Sequence, residues 1–257
     1  MAYIKSRKLL AIDTNAKTVK GQRYGFMTGI LYLAPSTISG HNTCPMAKIA
    51  GCEKACLYSA GRGAFNSVQQ SRIDKTLWFH ADREAFMLQI ARNIEGLIRK
   101  AKANDMTPLV RMNGTSDIRW ESVPVTYNGT AYPSIMAAFP EVQFYDYTKL
   151  ANRKNVPANY DLTFSYSGTL DYQKFVQQAK TAGMRIAAVF RNVEGIPSSF
   201  LGMACVDGDD SDIRHMDPQG VVVALYAKGA AKHDTTGFVV DSIRGQARRV
   251  IPVSLAA

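Results

Sequence analysis

Segments with strand and helix periodicity alternate along most of this chain, and this alternation constrains the fold more than any other feature of the sequence. Between and after the strand-like segments, apolar spacing predicts helices, with Asp82 as an N-cap and Gly183 as a C-terminal stop. Such alternation predicts an α/β protein with a mostly parallel sheet and right-handed crossovers. The predicted strands are 24–33, 108–112, 141–147, 160–166, 184–190 and 221–226, and the predicted helices are 67–80, 82–103, 133–139, 172–182 and a short one directly after residue 147.

About six strands in 257 residues suit a partial or irregular (β/α) barrel, and an open doubly wound sheet is the alternative. Residues 1–22 are polar and basic and are interpreted as an N-terminal arm. Residues 23–257 are interpreted as a single α/β domain that carries a cysteine loop at 44–56. In both arrangements the functional side chains gather at the carboxyl ends of the strands.

Three of the four cysteines, Cys44, Cys52 and Cys56, lie close together in the loop after the first predicted strand. The first residues contain no long apolar core, so no secretory leader is expected and a reducing compartment is favoured. In such a compartment clustered thiols favour metal binding over disulfides. We therefore predict that the loop holds an inorganic cofactor.

The spacing favours a [4Fe–4S] cluster but leaves alternatives open. Zinc sites usually combine two close ligand pairs, whereas here seven residues separate the first two cysteines and three separate the next two. Iron–sulfur clusters accept irregular spacing with a remote fourth ligand. Cys205 is the candidate for that ligand, with His41 as another, although Cys205 equally suits a small buried residue. Zinc and a set of thiols without metal remain the other interpretations.

Three segments together resemble a known family: Cys44–Gly63, Arg111–Glu121 and Phe144–Lys149. They occur in the same order in a phage-encoded family of unassigned function, gene product 88, and the resemblance covers roughly residues 24–190. It implies a bacteriophage or prophage origin and brings no established reaction.

The cysteine loop is also distantly similar to that of radical S-adenosylmethionine enzymes, which place three cysteines after the first strand of a partial barrel. Their usual loop is Cys-x3-Cys-x2-Cys, whereas this chain has Cys-x7-Cys-x3-Cys. The similarity implies S-adenosylmethionine as a cofactor, and the departure in spacing argues against it.

Polar side chains follow several predicted strands and are the candidates for chemistry. Asn113, Asp117 and Lys149 are the candidate catalytic residues and are expected to line the pocket, with Asp117 as the acid or base and Lys149 as the partner of a substrate anion. The alternative for the loop 113–121 is a turn that caps a helix. The candidate substrate or anion contacts are Arg62, which lies between two glycines, together with Ser116, Arg119 and Tyr147.

The formal net charge of +10 makes nucleic acid or a nucleotide a plausible partner. The densest basic clusters are Lys5, Arg7, Lys8, Lys17, Lys20 and Arg23 near the start and Arg244, Arg248 and Arg249 near the end. No apolar run approaches the roughly 20 residues of a membrane helix, so no membrane partner is expected. The host cytoplasm is the expected location, and the sequence leaves the oligomeric state open.

Three functions remain open on the sequence. The favoured one is a phage-encoded iron–sulfur enzyme or accessory factor that acts on nucleic acid or nucleotides. The main alternative is a non-catalytic nucleic-acid-binding protein in which a cluster or zinc only stabilises the loop. A small-molecule redox enzyme is the third.

Overall fold

The structure is a computed structural model that describes residues 3–12, 16–56, 58, 60–192 and 196–241. The described residues form a mixed α/β protein. The helices are α1 (Ala16–Gly21), α2 (Asn66–Ala81), α3 (Arg83–Lys102), α4 (Ile135–Ala138) and α5 (Gln173–Thr181). The strands are β1 (Leu10–Ile12), β2 (Phe26–Leu31), β3 (Thr107–Arg111), β4 (Val125–Tyr127), β5 (Thr130–Tyr132), β6 (Gln143–Thr148), β7 (Tyr160–Ser165), β8 (Ile186–Phe190), β9 (Ser199–Phe200), β10 (Met203–Asp207) and β11 (Val222–Tyr226).

Nine of these strands belong to one large sheet, and β4 and β5 form a separate hairpin. The predicted α/β class with a mostly parallel sheet is confirmed: only β1 and β9 run antiparallel to their neighbours among the strand pairs with a stated register in this sheet. The predicted barrel is wrong, because the sheet that the described strands form is not closed. Its end strands β1 and β9 each pair with a single neighbour, which corresponds to the open-sheet alternative.

The described residues divide into two compact units. The first unit comprises the described parts of Met1–Pro45, Gly63–Asp146 and Arg153–Asp161, and the second those of Met46–Arg62, Tyr147–Asn152 and Leu162–Ala257. The predicted boundaries, an arm over 1–22 and one domain over 23–257, stay a prediction. Within the predicted arm, the chain forms β1 and α1.

In the first unit the strand order is β1-β2-β3-β6, and α3 packs against β2 and β3. The apolar stripe of α3 explains this packing, because Phe86, Ile90, Ile94 and Leu97 are fully buried. Gly29 of β2 lets the helix approach closely, since a Cβ there would lie 3.0 Å from Leu97 Cδ2. The parallel strands β2, β3 and β6 therefore end at the same edge of the sheet.

The predicted cap of α3 is confirmed. The carboxylate of Asp82 accepts a hydrogen bond of 3.2 Å from the backbone N–H of Ala85, which satisfies one of the N–H groups that a helix start leaves without an intrahelical partner. Gly183 is likewise in the left-handed region, with φ of +67°, just after α5.

In the second unit the order is β7-β8-β11-β10-β9, with α5 between β7 and β8 in sequence. Parallel pairing joins β8 to β11 from Ile186↔Val222 to Phe190↔Tyr226. The core contains fully buried Phe164, Tyr172 and Phe190.

The prediction missed five strands and included one helix that is absent. Residues 149–158 form turns and irregular backbone in place of the short helix expected after residue 147. The strands β1, β9 and β10 and the hairpin β4–β5 were not predicted. The hairpin turns at Asn128 and Gly129, both with positive φ, as a tight turn that follows right-handed strand twist requires. The basic cluster of Arg244, Arg248 and Arg249 lies outside the described residues.

Candidate functional site

The loop after β3 is held against the end of β2 in the first unit. The backbone N–H of Gly114 donates to the carbonyl of Leu31 at 3.0 Å, and Thr115 Oγ1 donates to the carbonyl of Leu33 at 2.5 Å. A Cβ at position 114 would lie 2.6 Å from Ile30 Cγ2 and 2.7 Å from the carbonyl oxygen of Leu31. Glycine is therefore required for the loop to pass this close to β2.

Asn113 organises the same loop through both atoms of its side-chain amide. Its Oδ1 accepts from Ser116 Oγ, from the N–H of Ile118 and from Trp120 Nε1, each at 2.9 Å. Its Nδ2 donates to the carbonyl of Ile118 at 2.9 Å and contacts Tyr160 Oη at 3.4 Å. The amide and the Ser116 hydroxyl are thus engaged inside the protein. The catalytic role predicted for Asn113 and the substrate-binding role predicted for Ser116 stay predictions.

A fully buried carboxylate, Asp146 of β6, fixes the start of this loop. It accepts from the N–H groups of Met112 and Asn113 at 3.1 and 3.0 Å and from Tyr160 Oη at 2.9 Å, and it lies 3.8 Å from Arg111 Nε. Burial raises the pKa of Asp146 to about 6, although Arg111 and the hydrogen-bond donors oppose this rise. The carboxyl therefore titrates near neutrality in a position that solvent does not reach.

Arg153 gathers the two other carboxylates of the site. It pairs with Glu121 through Nε, at 2.9 Å from Oε1, and through Nη2, while Nη1 lies 3.8 Å from Asp117 Oδ1. The side chains of all three are at most 8 % exposed. A buried guanidinium facing two carboxylates compensates their charge.

Cys44 lies beside this loop in the first unit. Its Sγ is 3.7 Å from the carbonyl oxygen of Thr115 and 3.8 Å from Thr43 Oγ1. The N–H of Asp117 donates to the carbonyl of Thr43 at 2.8 Å. The structure thus brings Cys44 next to Asn113, Ser116 and Asp117, as expected for loops that follow neighbouring parallel strands. Arg119, half-buried, immediately precedes the short 3₁₀ turn Trp120–Ser122.

The rest of the cysteine loop belongs to the second unit, where hydroxyl groups from other segments anchor its backbone. Ser167 Oγ donates to the carbonyl of Ala50 at 2.7 Å, Thr169 Oγ1 to that of Ile49 at 2.7 Å, and Thr236 Oγ1 to that of Gly51 at 2.9 Å. These three hydrogen bonds fix the backbone of the segment that lies between Cys44 and Cys52 in the sequence.

Cys52 and Cys56 are both half-buried and free of disulfides, as is Cys44. Cys52 Sγ lies 3.8 Å from the carbonyl oxygen of Ala47. Cys205 differs, because it is buried on β10 in the core of the second unit and its burial raises the pKa of the thiol to about 11. Burial therefore disfavours the thiolate that a metal ligand requires.

The donor set does not form a ready metal site. Among the residues that the structure describes, no three His, Cys, Asp or Glu side chains are arranged to hold one metal ion. The cluster predicted on Cys44, Cys52, Cys56 and Cys205 consequently stays a prediction from sequence.

The other predicted contacts lie in the second unit or in a short turn. Lys149 donates to the carbonyls of Ser165 and Tyr166, both at 3.1 Å, and to Ser165 Oγ at 3.0 Å. Tyr147 Oη lies 3.3 Å from Asp212 Oδ1. Lys149 is thus engaged at the end of β7, and its predicted role with a substrate anion is untested. Arg62 is exposed in the 3₁₀ turn Gly61–Ala64.

Sequence reasoning missed the importance of Arg153 and Tyr160. Arg153 falls in the irregular stretch 149–158, and Tyr160 is simply the first residue of a strand-like segment. Neither position carries a local pattern that signals a buried ion pair or a hydrogen bond to Asp146.

The fold and this site define an α/β protein with a buried network of carboxylates and a guanidinium at the carboxyl ends of β3 and β6. The chain belongs to the phage family described as Gene product 88, whose family model matches residues 5–242. This match confirms the family resemblance and its phage character, and the similarity to radical S-adenosylmethionine enzymes stays a prediction. No curated protein and no solved structure matches the chain. The described helices are all too short or too polar to cross a membrane.

Proposed function

We propose that the protein is a phage-encoded [4Fe–4S] protein of the host cytoplasm that acts on nucleic acid or nucleotides. One observation carries the proposal: three hydroxyl groups anchor the backbone of the loop at Ile49, Ala50 and Gly51, while Cys52 and Cys56 on the same loop remain partly exposed and unbridged. Thiols held in this way are accessible to a metal, and free thiols suit a reducing compartment.

Cys44 is the proposed third ligand because of its position in the sequence of the loop. Its place beside Asp117 in the first unit supports a role for the loop 113–121 in the same activity. In this proposal Asp117 is the acid or base, held by Arg153. Arg119, on the same loop, and Lys149 are the proposed contacts to substrate anions. The cluster, when bound, would supply a Lewis-acidic or electron-carrying iron.

The charge of the chain supports the substrate class. With 31 Lys and Arg against 21 Asp and Glu, the protein is attracted to polyanions at moderate ionic strength. S-adenosylmethionine remains a secondary cofactor proposal, and zinc remains the alternative metal.

Anaerobic purification followed by visible spectroscopy and iron, sulfide and zinc analysis tests the cluster. The expected result is a brown protein with about four iron and four sulfide per chain. Single serine substitutions at Cys44, Cys52 and Cys56 should each remove iron while the far-ultraviolet circular dichroism is unchanged, because each replaces a half-buried sulfur by an oxygen of similar size. A colourless protein with one tightly bound zinc overturns the iron–sulfur proposal.

The variant Cys205→Ala is the matched comparison for the three half-buried thiols of the loop. Loss of iron in this variant would identify Cys205 as the fourth ligand, and retained iron would leave one coordination position open to a substrate or S-adenosylmethionine. A spectral change on addition of S-adenosylmethionine supports its binding, and an unchanged spectrum of the iron-loaded protein removes it from the proposal.

A non-catalytic binding protein is the second candidate, and the internal pairing of the site favours it. Arg153 neutralises Glu121 and Asp117 within the protein, as a purely structural network would. The variant Asp117→Asn separates the two candidates: an enzyme loses turnover with its nucleic-acid affinity unchanged, whereas a binding protein keeps its function.

A further inference from the structure

The N-terminal strap, residues 5–9, is fixed along α3 by side-chain amides. Asn93 Oδ1 accepts from the N–H of Leu9 at 2.7 Å, and its Nδ2 donates to the carbonyl of Arg7 at 3.0 Å. Gln89, one turn earlier on the same stripe of the helix, donates to the same carbonyl at 2.8 Å. The strap is therefore ordered before any ligand binds, which lowers the entropic cost of binding through its side chains.

The strap and α3 both carry exposed basic side chains, and the backbone of Arg7 lies against Gln89 and Asn93 of the helix. Lys5 is paired with Asp82 at 2.9 Å, so its charge is largely compensated. The strap–helix surface comprises Arg7, Lys8, Arg92 and Lys100, all exposed.

The acidic residues of α3 are Glu84 and Glu95. Glu95 of α3 is engaged by the hydroxyl of Tyr127. Glu84 lies in the first turn of the helix, about 12 Å along the axis from Arg92 at 1.5 Å per residue. Basic residues in a last helical turn have a simpler explanation in the helix dipole, but Arg92 lies in the middle of α3, and Arg7 and Lys8 are outside the helix. The dipole therefore does not account for the surface.

We infer that the strap–helix surface binds the phosphate backbone of duplex nucleic acid. Arg92 and Lys100 are about 12 Å apart along the helix axis, and this distance spans three to four phosphates of one strand at about 3.4 Å each. The strap and α3 contain one aromatic residue, Phe86, which is fully buried. Binding of single strands relies on stacking against exposed aromatic rings, so the surface fits duplex and no particular sequence.

This inference rests on the nucleic-acid part of the proposed function. It is tested by fluorescence anisotropy with the full-length protein and a labelled duplex of about two helical turns at several salt concentrations. In the triple variant Arg7→Gln/Lys8→Gln/Arg92→Gln we expect at least about tenfold weaker binding at 0.1 M salt. The slope of log K against log salt should fall in magnitude by about 2.7, since each phosphate contact contributes about 0.9.

The matched control removes the same charge elsewhere, in Lys54→Gln/Lys154→Gln/Lys174→Gln, where all three side chains are exposed. It should keep the wild-type slope, and both triple variants should keep the wild-type melting temperature. Equal losses of affinity in the two triple variants overturn the assignment of binding to the strap–helix surface, while nucleic acid remains the proposed partner. Absence of binding by the wild-type protein at 50 mM salt overturns both the surface and the nucleic-acid proposal. Tighter binding of a single strand of equal length overturns the assignment to duplex.

Discussion

Removing the hydroxyl of Tyr160 should destabilise the first unit through the buried carboxylate of Asp146. The hydroxyl donates to Asp146 Oδ2 at 2.9 Å and lies 3.4 Å from Asn113 Nδ2 and 3.5 Å from Arg153 Nη2. The ring of Tyr160 is 3 % exposed, so water does not replace the lost hydroxyl. Tyr160→Phe keeps the ring and removes only these polar contacts.

The size of the expected loss of stability follows from the charge of the Asp146 carboxylate, which accepts the hydrogen bond from Tyr160. A hydrogen bond to a charged group contributes about 1.5–3 kcal/mol, more than a neutral one. The two longer contacts add little because their distances are near the limit of hydrogen bonding. Asp146 keeps its two backbone donors, so the carboxylate is not left without partners. We therefore expect the free energy of unfolding to fall by about 2 kcal/mol at pH 8.

The loss of stability in Tyr160→Phe should depend on pH, and the pKa of Asp146 determines the direction of that dependence. Burial raises the pKa of Asp146 from 3.8 to about 6, so the folded state binds the proton more tightly than the unfolded state. The contribution of Asp146 to stability is therefore greatest below pH 4 and declines as pH rises to about 6, by about 3 kcal/mol at 1.36 kcal/mol per pH unit. The Tyr160 hydroxyl favours the ionised form, so its removal raises the pKa of Asp146 further. The loss in Tyr160→Phe should thus be larger at pH 8 than at pH 5.

Urea unfolding followed by circular dichroism at pH 5 and pH 8 measures the loss in free energy of unfolding and its dependence on pH. Tyr132→Phe is the matched control, because its half-buried ring carries a hydroxyl with no hydrogen bond to any residue that the structure describes, and its stability should change by less than about 0.5 kcal/mol. An equal loss at the two pH values would refute the role of the ionised carboxylate. A loss no larger than that of the control would refute the hydrogen bond itself.

Three further substitutions test the packing and the ion pairs. Gly114→Ala should lower the free energy of unfolding by about 2 kcal/mol or more in urea titrations, because its Cβ would overlap the end of β2; wild-type stability would contradict the close approach. At Gly96 a Cβ would have only one arginine side-chain atom near it, at 4.0 Å. Gly96→Ala should therefore raise the free energy of unfolding by about 1 kcal/mol, and a lower free energy of unfolding would show a steric conflict. Arg153→Met should cost about 3–5 kcal/mol in the same assay, since Glu121 and Asp117 lose their buried cation; a neutral result would mean that water reaches these carboxylates.

The helices α2 and α3 and the main parallel strands were predictable because each is encoded by local pattern. The apolar stripe of α3 and the cap at Asp82 determine that helix from one short segment. The sequence also carries the hairpin signal Asn128–Gly129, which the prediction omitted. In contrast, β1, β9 and β10 have short or partly polar sequences. The strands β1 and β10 are stabilised by pairing with strands farther along the chain, β2 and β11, whereas the two-residue strand β9 pairs with β10 across a tight turn.

The sequence by itself determined the α/β class, the family and the clustering of three cysteines in one loop, because periodicity, motif spacing and residue type are properties of short segments. The tertiary structure alone decided that the sheet remains open, since the same alternation of strands and helices is compatible with a barrel. It also decided that Asp146, Arg153 and Tyr160 meet in one buried network. These residues come from separate segments, and the low dielectric that gives their interactions strength exists only after the strands and loops have packed.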